Sequence, residues 1–505
     1  METTYTITLG LDTNEEQNFL FNKKFNIARI QYNLLTSCVI KRLNALRQDK
    51  IYLKALNDYK NVKSLKSKDI KKLEITDILN ERISYYKLTK GDLEKFLDNN
   101  KNQYKKLLGS TLRQKIALRV YNSLSKVLYS KGKKLHYKKY GQLLSIEGKS
   151  NKTDIVFKNN QLYYRKYNPI NIKYKPKDYF IQESLSNIEN GNSKICFCRI
   201  IKKYIRQKEK YYLQLIIKGE MPPKRYANGK FRKTNSQNNR VGIDIGTSTI
   251  AIVSNKKIIL QELAEKSKSY NIKLTKISHK LEKERRLSNP LNYNEDGTIK
   301  KGRLKWIRTK KYIKLLYKIK NIYRLKSNYI KESHSKLCNE ILLLGNEIYI
   351  EEMNFSGLAK KSQKEREFNQ KTNKYKRKKR FGKSILDKAP SNLIIILERK
   401  LKYDGVKLNK VNTQTFKASQ YNHIEDKYIK KPLSQRINKI GDDIIQRDIY
   451  SAYLLMNSKP NLKEVNKKLC DNNYKEFLIN HKKCIKKLKE KDKKYPKSFG
   501  LKYID

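Results

Sequence analysis

The stretch VGIDIGTSTIAIV, residues 241–253, places one Asp after an apolar strand start, then a Gly-Thr-Ser turn and a second apolar strand. Such a strand–turn–strand serves two chemistries. The backbone amides of the turn can cradle a nucleotide phosphate, or the carboxylate of Asp244 can hold a metal ion. An actin-like or heat-shock-type ATPase also needs a second Asp-Gly-rich phosphate loop and a glycine-rich adenosine pocket, because backbone must approach the nucleotide closely. The chain has 19 glycines, no Gly-Gly dipeptide and no such loop after residue 253. The carboxylate reading stands.

Two further acidic positions end core-like elements. NEIYIEEMN (346–354) reads as a buried strand ending in Glu351 and Glu352, and QRDIYSAYLLM (446–456) as a helix headed by Asp448. The face of that helix continues through Ser451, Ala452 and Leu455, and the small residues on it would let the helix lie close to a sheet. Taken singly, these acids read as a turn residue, a solvated strand edge and a surface acid. Taken in order, they match an RNase H-like sheet of the RuvC branch, where strand one supplies an Asp, strand four a Glu and a late helix the last Asp. Carboxylates are hard ligands for Mg²⁺, and paired ions serve in-line displacement at phosphorus. Successive strand residues face opposite ways, so only one of Glu351 and Glu352 can be a ligand; spacing does not choose between them.

Composition narrows the partner. Lys and Arg number 116 against 48 Asp and Glu, a formal net charge of +68 over 505 residues. Codon bias toward Lys does not explain a surplus this one-sided, and a compact fold with it repels itself unless a polyanion neutralises it. Nucleic acid is the expected partner, bound mainly through phosphates and with a steep salt dependence. The start METTYTITLGLDTNEEQ has neither a basic n-region nor an apolar h-region, and no apolar run reaches about 18 residues. A cytoplasmic, nucleoid-associated protein without membrane partners is expected. The six cysteines contain no C-x-x-C pair, which suits a reducing compartment.

The chain reads as a mixed α/β plus α+β protein of two lobes. YTITLGL (5–11) alternates like a strand, and Thr13 with Glu16 fits a capping box opening a helix that presents Phe21, Phe25, Ala28, Tyr32 and Leu35. Residues 1–12 and 146–219 read as a small β-barrel-like domain, with 13–145 a helical insertion and Asn159-Asn160 a hairpin turn. Residues 220–240 are a polar linker. The second lobe, 241–457, contains a helical hairpin at 264–344 with a loop at 289–302, a helix near 389–402, a strand at 405–412 and a final helix from about 440. The stretch 458–505 reads as a basic tail.

The segments VGIDIGTSTIAIV (241–253), IYIEEMNFSGLAK (348–360), VNTQTFKASQYNH (411–423) and QRDIYSAYLLMN (446–457) resemble the transposon-encoded TnpB proteins, relatives of the compact type V CRISPR effectors. The resemblance implies an RNA-guided DNA endonuclease with a single RuvC-like site. It places the catalytic Glu on Glu351 and the Arg-Asp pair on Arg447 and Asp448, with Asp244 the strand-one ligand. It implies two Mg²⁺ ions, with Mn²⁺ as a substitute, held by Asp244, Glu351 and Asp448. A guide RNA and target DNA would be the partners, in a monomeric ribonucleoprotein. The N-terminal β domain would be a wedge and the helical insertion a recognition domain, holding guide and reading a short flanking motif while base pairing reads sequence. One departure stands out. The family's four-cysteine zinc ribbon would fall at 413–440, but no Cys occurs between Cys338 and Cys470. No zinc is expected there, since a structural site needs four N or S ligands; His423 is read as a hydrogen-bonding residue of a degenerate zinc-ribbon or lid region.

The densest basic cluster, KTNKYKRKKR (371–380), brings together Lys374, Lys376, Arg377, Lys378, Lys379 and Arg380 as expected nucleic-acid contacts. Trp306 reads as packing beside the hairpin loop. Two other functions fit the same residues: a nuclease-inactive RNA-guided DNA-binding protein, and a guide-free nuclease acting on branched DNA.

Overall fold

The computed structural model describes residues 3–62, 64–65, 69–99, 107–130, 132–165, 167–206, 208–223, 225, 228–230, 239–359, 368–370, 374–375, 381–432, 434–490 and 495–501. The chain divides into two compact units, Met1–Arg232 and Lys233–Asp505.

In the first unit, β1 (Thr3–Leu11) buries Tyr5, Ile7, Leu9 and Leu11, the period of two that its alternation dictates. Helix α1 (Glu15–Leu46) begins one residue later than the expected box: Asn14 and Gln17, not Thr13 and Glu16, exchange side-chain and backbone hydrogen bonds at its start. Thr13 is diverted, because its hydroxyl donates to Asn18 Oδ1. The stripe Phe21, Phe25, Ala28, Tyr32 and Leu35 is buried. Helices α2 (Lys50–Val62), α3 (Ile70–Tyr85), α4 (Lys90–Asn99) and α5 (Ser110–Tyr129) follow. The chain returns to the sheet through β2 (Ser145–Glu147), β3 (Ile155–Lys158), β4 (Gln161–Tyr164) and β5 (Ile170–Lys173). Helix α6 (Tyr179–Glu189) and the long pair β6 (Ser193–Ile205) and β7 (Lys208–Gly219) complete the unit. The strand order is β2-β6-β7-β1-β5-β4-β3. Asn159 and Asn160 turn β3 into β4 with φ of 50° and 54°, the left-handed pair that a tight hairpin requires.

The second unit opens with the antiparallel strands β8 (Arg240–Ile245), β9 (Thr249–Ser254) and β10 (Ile258–Glu262). Helices α7 (Ser267–Leu287) and α8 (Lys310–Leu344) then pack together as a hairpin, with Trp306 edge-on to Tyr293 near its tip. Strand β11 (Glu347–Glu351) re-enters parallel to β8. After α9 (Phe355–Leu358), β12 (Phe368–Asn369), β13 (Lys374–Tyr375), α10 (Gly382–Lys388) and α11 (Pro390–Tyr403), strand β14 (Asn409–Val411) pairs parallel to β11. The sheet order is β10-β9-β8-β11-β14.

Next come α12 (Thr413–Phe416), the hairpin β15 (Tyr421–Asn422) and β16 (Lys427–Tyr428), and the hairpin β17 (Ile437–Ile440) and β18 (Asp443–Gln446). Helices α13 (Arg447–Met456) and α14 (Lys467–Lys489) follow. Two expectations need correction here. The helix expected from about 440 starts at Arg447, because Gly441, at φ +58°, turns residues 437–446 into a hairpin. The expected basic tail after 458 holds α14, which buries Cys470, Phe477, Cys484 and Ile485 in the same core as α13; its many lysines hide that stripe.

Alternation assigns the two faces of the sheet. Val241, Ile243, Ile245, Ile250, Ile252, Ile348 and Ile350 pack against α8 and α11. Ala251, Val253, Tyr349 and Val411 pack against α13 and α14. Among the described residues no helix is long and apolar enough to cross a membrane.

Candidate metal centre

Strand register brings the first two acids together. β8 and β11 run parallel with Ile243 opposite Ile350, so the next residues, Asp244 and Glu351, sit at the same level of neighbouring strands. Residues side by side in a parallel pair point to the same face. Asp244 shares its face with Gly242, and Glu351 with Tyr349, which lies in the core of α13 and α14. Glu352 is exposed and lies beyond the strand, its N–H donating to Val411 O at 2.9 Å. Packing therefore separates the two glutamates.

Gly242 brings the third acid in. A Cβ there would lie 1.9 Å from Ala452 O and 2.5 Å from Met456 N, so α13 rests directly on the β8 backbone. From Ala452 back to Asp448 is about 6 Å of helix, and from Gly242 forward to Asp244 about 6.6 Å of strand. With the helix N-terminus over the strand's C-terminal end, the two steps match and Asp448 is carried toward Asp244.

The charges of the three acids are coupled. Burial, then the Asp448 and Glu351 carboxylates, push Asp244 well above the ordinary carboxylate range, against the opposing charges of Arg447 and Arg436. Burial pushes Glu351 from 4.5 to about 7. Asp448 sits in the first turn of α13, where the helix dipole favours its charge. Its Oδ1 accepts from Arg447 Nη2 at 3.2 Å and Nε at 3.3 Å, with Arg436 Nη1 at 3.9 Å.

Arg436 was not foreseen. The hairpin β17–β18 places it beside Arg447, whose N–H donates to Arg436 O at 2.9 Å. The sequence holds a signal for it: Gln435-Arg436 and Gln446-Arg447 bracket INKIGDDII, so closing the hairpin at Gly441 superposes the two arginines.

The donor set fits a divalent cation in kind. Three hard carboxylates stand near one another at one end of a sheet, and two of them take up protons more readily than usual, which a dication would displace. Among the described residues no three His, Cys, Asp or Glu side chains are gathered tightly enough to hold one ion, and Asp448 turns its oxygen to arginine.

The Asp244 turn is fixed from behind. Gly246 N–H donates to Thr249 O at 2.9 Å, and Ser384 of α10 donates its hydroxyl to Thr247 O at 3.0 Å. His423 is buried within the core: Tyr450 Oη of α13 accepts its backbone N–H at 3.1 Å and reaches its Nδ1 at 2.7 Å. Of the basic cluster, Lys374 lends its backbone to β13; Lys376, Arg377, Lys378, Lys379 and Arg380 lie outside the described residues.

No family model and no curated protein matches the chain. Solved structures similar to it include a cryo-EM structure of the Cas12f1-sgRNA-target DNA complex, at 11% identity and TM-score 0.42, covering 91% of this chain and 99% of that one. A cryo-EM structure of a CRISPR-Cas12f ternary complex is similar at 13% identity and TM-score 0.23, covering 89% and 86%. At these scores the likeness carries no functional weight, which falls on the chain's own residues.

Proposed function

We propose that the chain is an RNA-guided, Mg²⁺-dependent DNA endonuclease whose second unit is an RNase H-like domain of the RuvC branch. The observation that carries the nuclease part is the approach of Asp244, Glu351 and Asp448, from strand one, strand four and a late helix, to one end of the sheet. The +68 charge and the TnpB-like segments support guide RNA and target DNA as partners.

Asp244, Glu351 and Asp448 would hold the metal, and paired divalent ions supply activation of water and charge stabilisation at the leaving oxygen. Asp244 and Glu351 bind cations best once deprotonated, so activity should rise as pH climbs through their raised range. Arg447 and Arg436 bring positive charge to the same place, where a phosphate gains charge as it reacts. A DNA phosphate would compete with Asp448 for these guanidinium groups and free the carboxylate for cation.

The pairing of Asp448 with arginine favours one second reading, an RNA-guided DNA-binding protein that does not cut. One experiment decides. Ribonucleoprotein purified with its co-expressed RNA should cleave a matched target in Mg²⁺ and stop in EDTA, and Asp244→Ala should abolish cleavage while target binding stays nearly intact. Target binding without cleavage in Mg²⁺ or Mn²⁺ would refute the nuclease; cleavage by Asp244→Ala would refute the metal assignment. Sequencing the co-purified RNA tests the guide: a discrete species supports it, random cellular RNA refutes it.

A further inference from the structure

Helix α14 lies outside every motif used so far, yet it grips the start of the helix that carries Asp448. Gln446 is the N-cap of α13 and is fully buried. Its side-chain Oε1 accepts from Ile449 N–H at 2.7 Å, and its Nε2 has no partner among the described residues. Its backbone N–H donates to His481 Nε2 of α14 at 3.2 Å. The donor is a peptide N–H, so the imidazole nitrogen must be the acceptor, and the ring is neutral in this arrangement. His481 is itself buried, its ring 6.1 Å from that of Phe477.

Two turns earlier on the same helix, Tyr474 donates its hydroxyl toward Asp443 Oδ2 at 3.1 Å, with Ile440 O at 3.3 Å. This ties α14 to both strands of the hairpin that feeds α13. From α13 itself, Tyr453 Oη donates to Cys470 O. The helix bearing Asp448 is thus held at its cap, in the hairpin before it and in its middle by one neighbouring element. A buried N–H without an acceptor is costly, so the cap settles where His481 provides one.

We propose that His481 is a positioning residue: by accepting the Gln446 N–H it sets the pitch and height of the first turn of α13, and so where the Asp448 carboxylate meets Asp244 and Glu351. This deepens the nuclease reading and rests on it. A helix start that slides by a fraction of a turn moves the carboxylate by an ångström or more, enough to affect a reaction that depends on placement.

His481→Phe keeps the ring's volume against Phe477 and removes only the acceptor; His481→Gln restores an acceptor at nearly the reach of Nε2. Hydrogen exchange across residues 446–450, measured on the metal-free chain, should quicken by at least about tenfold in His481→Phe and return toward wild type in His481→Gln. Single-turnover cleavage should fall by at least about tenfold in His481→Phe with target affinity unchanged, and recover in His481→Gln. Unchanged exchange in His481→Phe overturns the clamp, and so does faster exchange with unchanged cleavage. Equal impairment of the Phe and Gln variants overturns it too, since shape and not the acceptor would then matter. If His481→Phe does not fold, His481→Asn takes its place, its acceptor one bond too short; equal protection by Asn and Gln overturns the proposal. A wild-type chain that does not cut, with exchange behaving as expected, overturns the nuclease reading and leaves the clamp standing.

Discussion

Replacing Glu351 by Gln should make the metal-free protein more stable at pH 8 while destroying its activity. Burial raises Glu351 from 4.5 to about 7 in the folded chain. Between those values the native state holds the proton that the unfolded chain has lost, so stability falls as pH rises through the window. The full penalty applies above pH 7. At about 1.36 kcal/mol per pKa unit, the gap amounts to roughly 3 kcal/mol. Gln has the same shape and no charge, so it escapes this penalty. Urea unfolding in EDTA, followed by the fluorescence of Trp306, the single Trp, should show little difference at pH 4.5 and a gain for Glu351→Gln approaching that figure at pH 8. Mg²⁺ should then raise the wild-type midpoint by mass action and leave the variant where it was. A gain equal at both pH values, or a variant less stable at pH 8, would refute the argument that burial of the carboxylate charge governs this site.

Gly242→Ala would place a methyl 1.9 Å from Ala452 O, and it should destabilise the second unit by about 3 kcal/mol, the upper end of the usual overpacking cost, and lower cleavage, because backbone and not a flexible side chain must move; equilibrium unfolding checks it. Burial holds His423 and His481 down at about 4. Unfolding lets each return to 6.5 and bind a proton, so their stability contribution is lost as pH falls from 6.5 toward 4, roughly 3 kcal/mol each. His481→Gln should accordingly lose less stability than wild type between pH 7 and pH 4.5, and equal loss would contradict this assignment. Arg436→Gln removes a positive charge facing Asp448 and Asp244, so cleavage should drop on the order of tenfold to a hundredfold while half-saturation in Mg²⁺ at pH 6.5 should shift downward, because the lost charge repels a dication more than a competing proton; both are read from metal titrations of the cleavage rate.

What could be read from the sequence was what repeats locally. Tyr5, Ile7, Leu9 and Leu11 show a strand by alternation, and Phe21 to Leu35 a helix by its stripe, because the side chains that bury are spaced by the backbone's own period. The acids at 244, 351 and 448 stand out because each lies at or next to one end of an apolar element, where a charge is out of place unless it has a task. Near-neighbour patterns failed where other residues competed for the same bonds: Asn14 took the cap from Thr13, Gly441 turned a presumed helix into a hairpin, and lysines masked the buried face of α14.

Only the tertiary structure decided how the acids relate. Register between β8 and β11, more than a hundred residues apart in sequence, puts Asp244 level with Glu351. The missing side chain of Gly242 lets α13 lie on the strand, closing of the β17–β18 hairpin adds Arg436, and α14 holds the cap through His481. None of these follows from composition or period, because each is a contact between distant segments whose spacing is set by sheet pairing and packing rather than by the chain's local geometry.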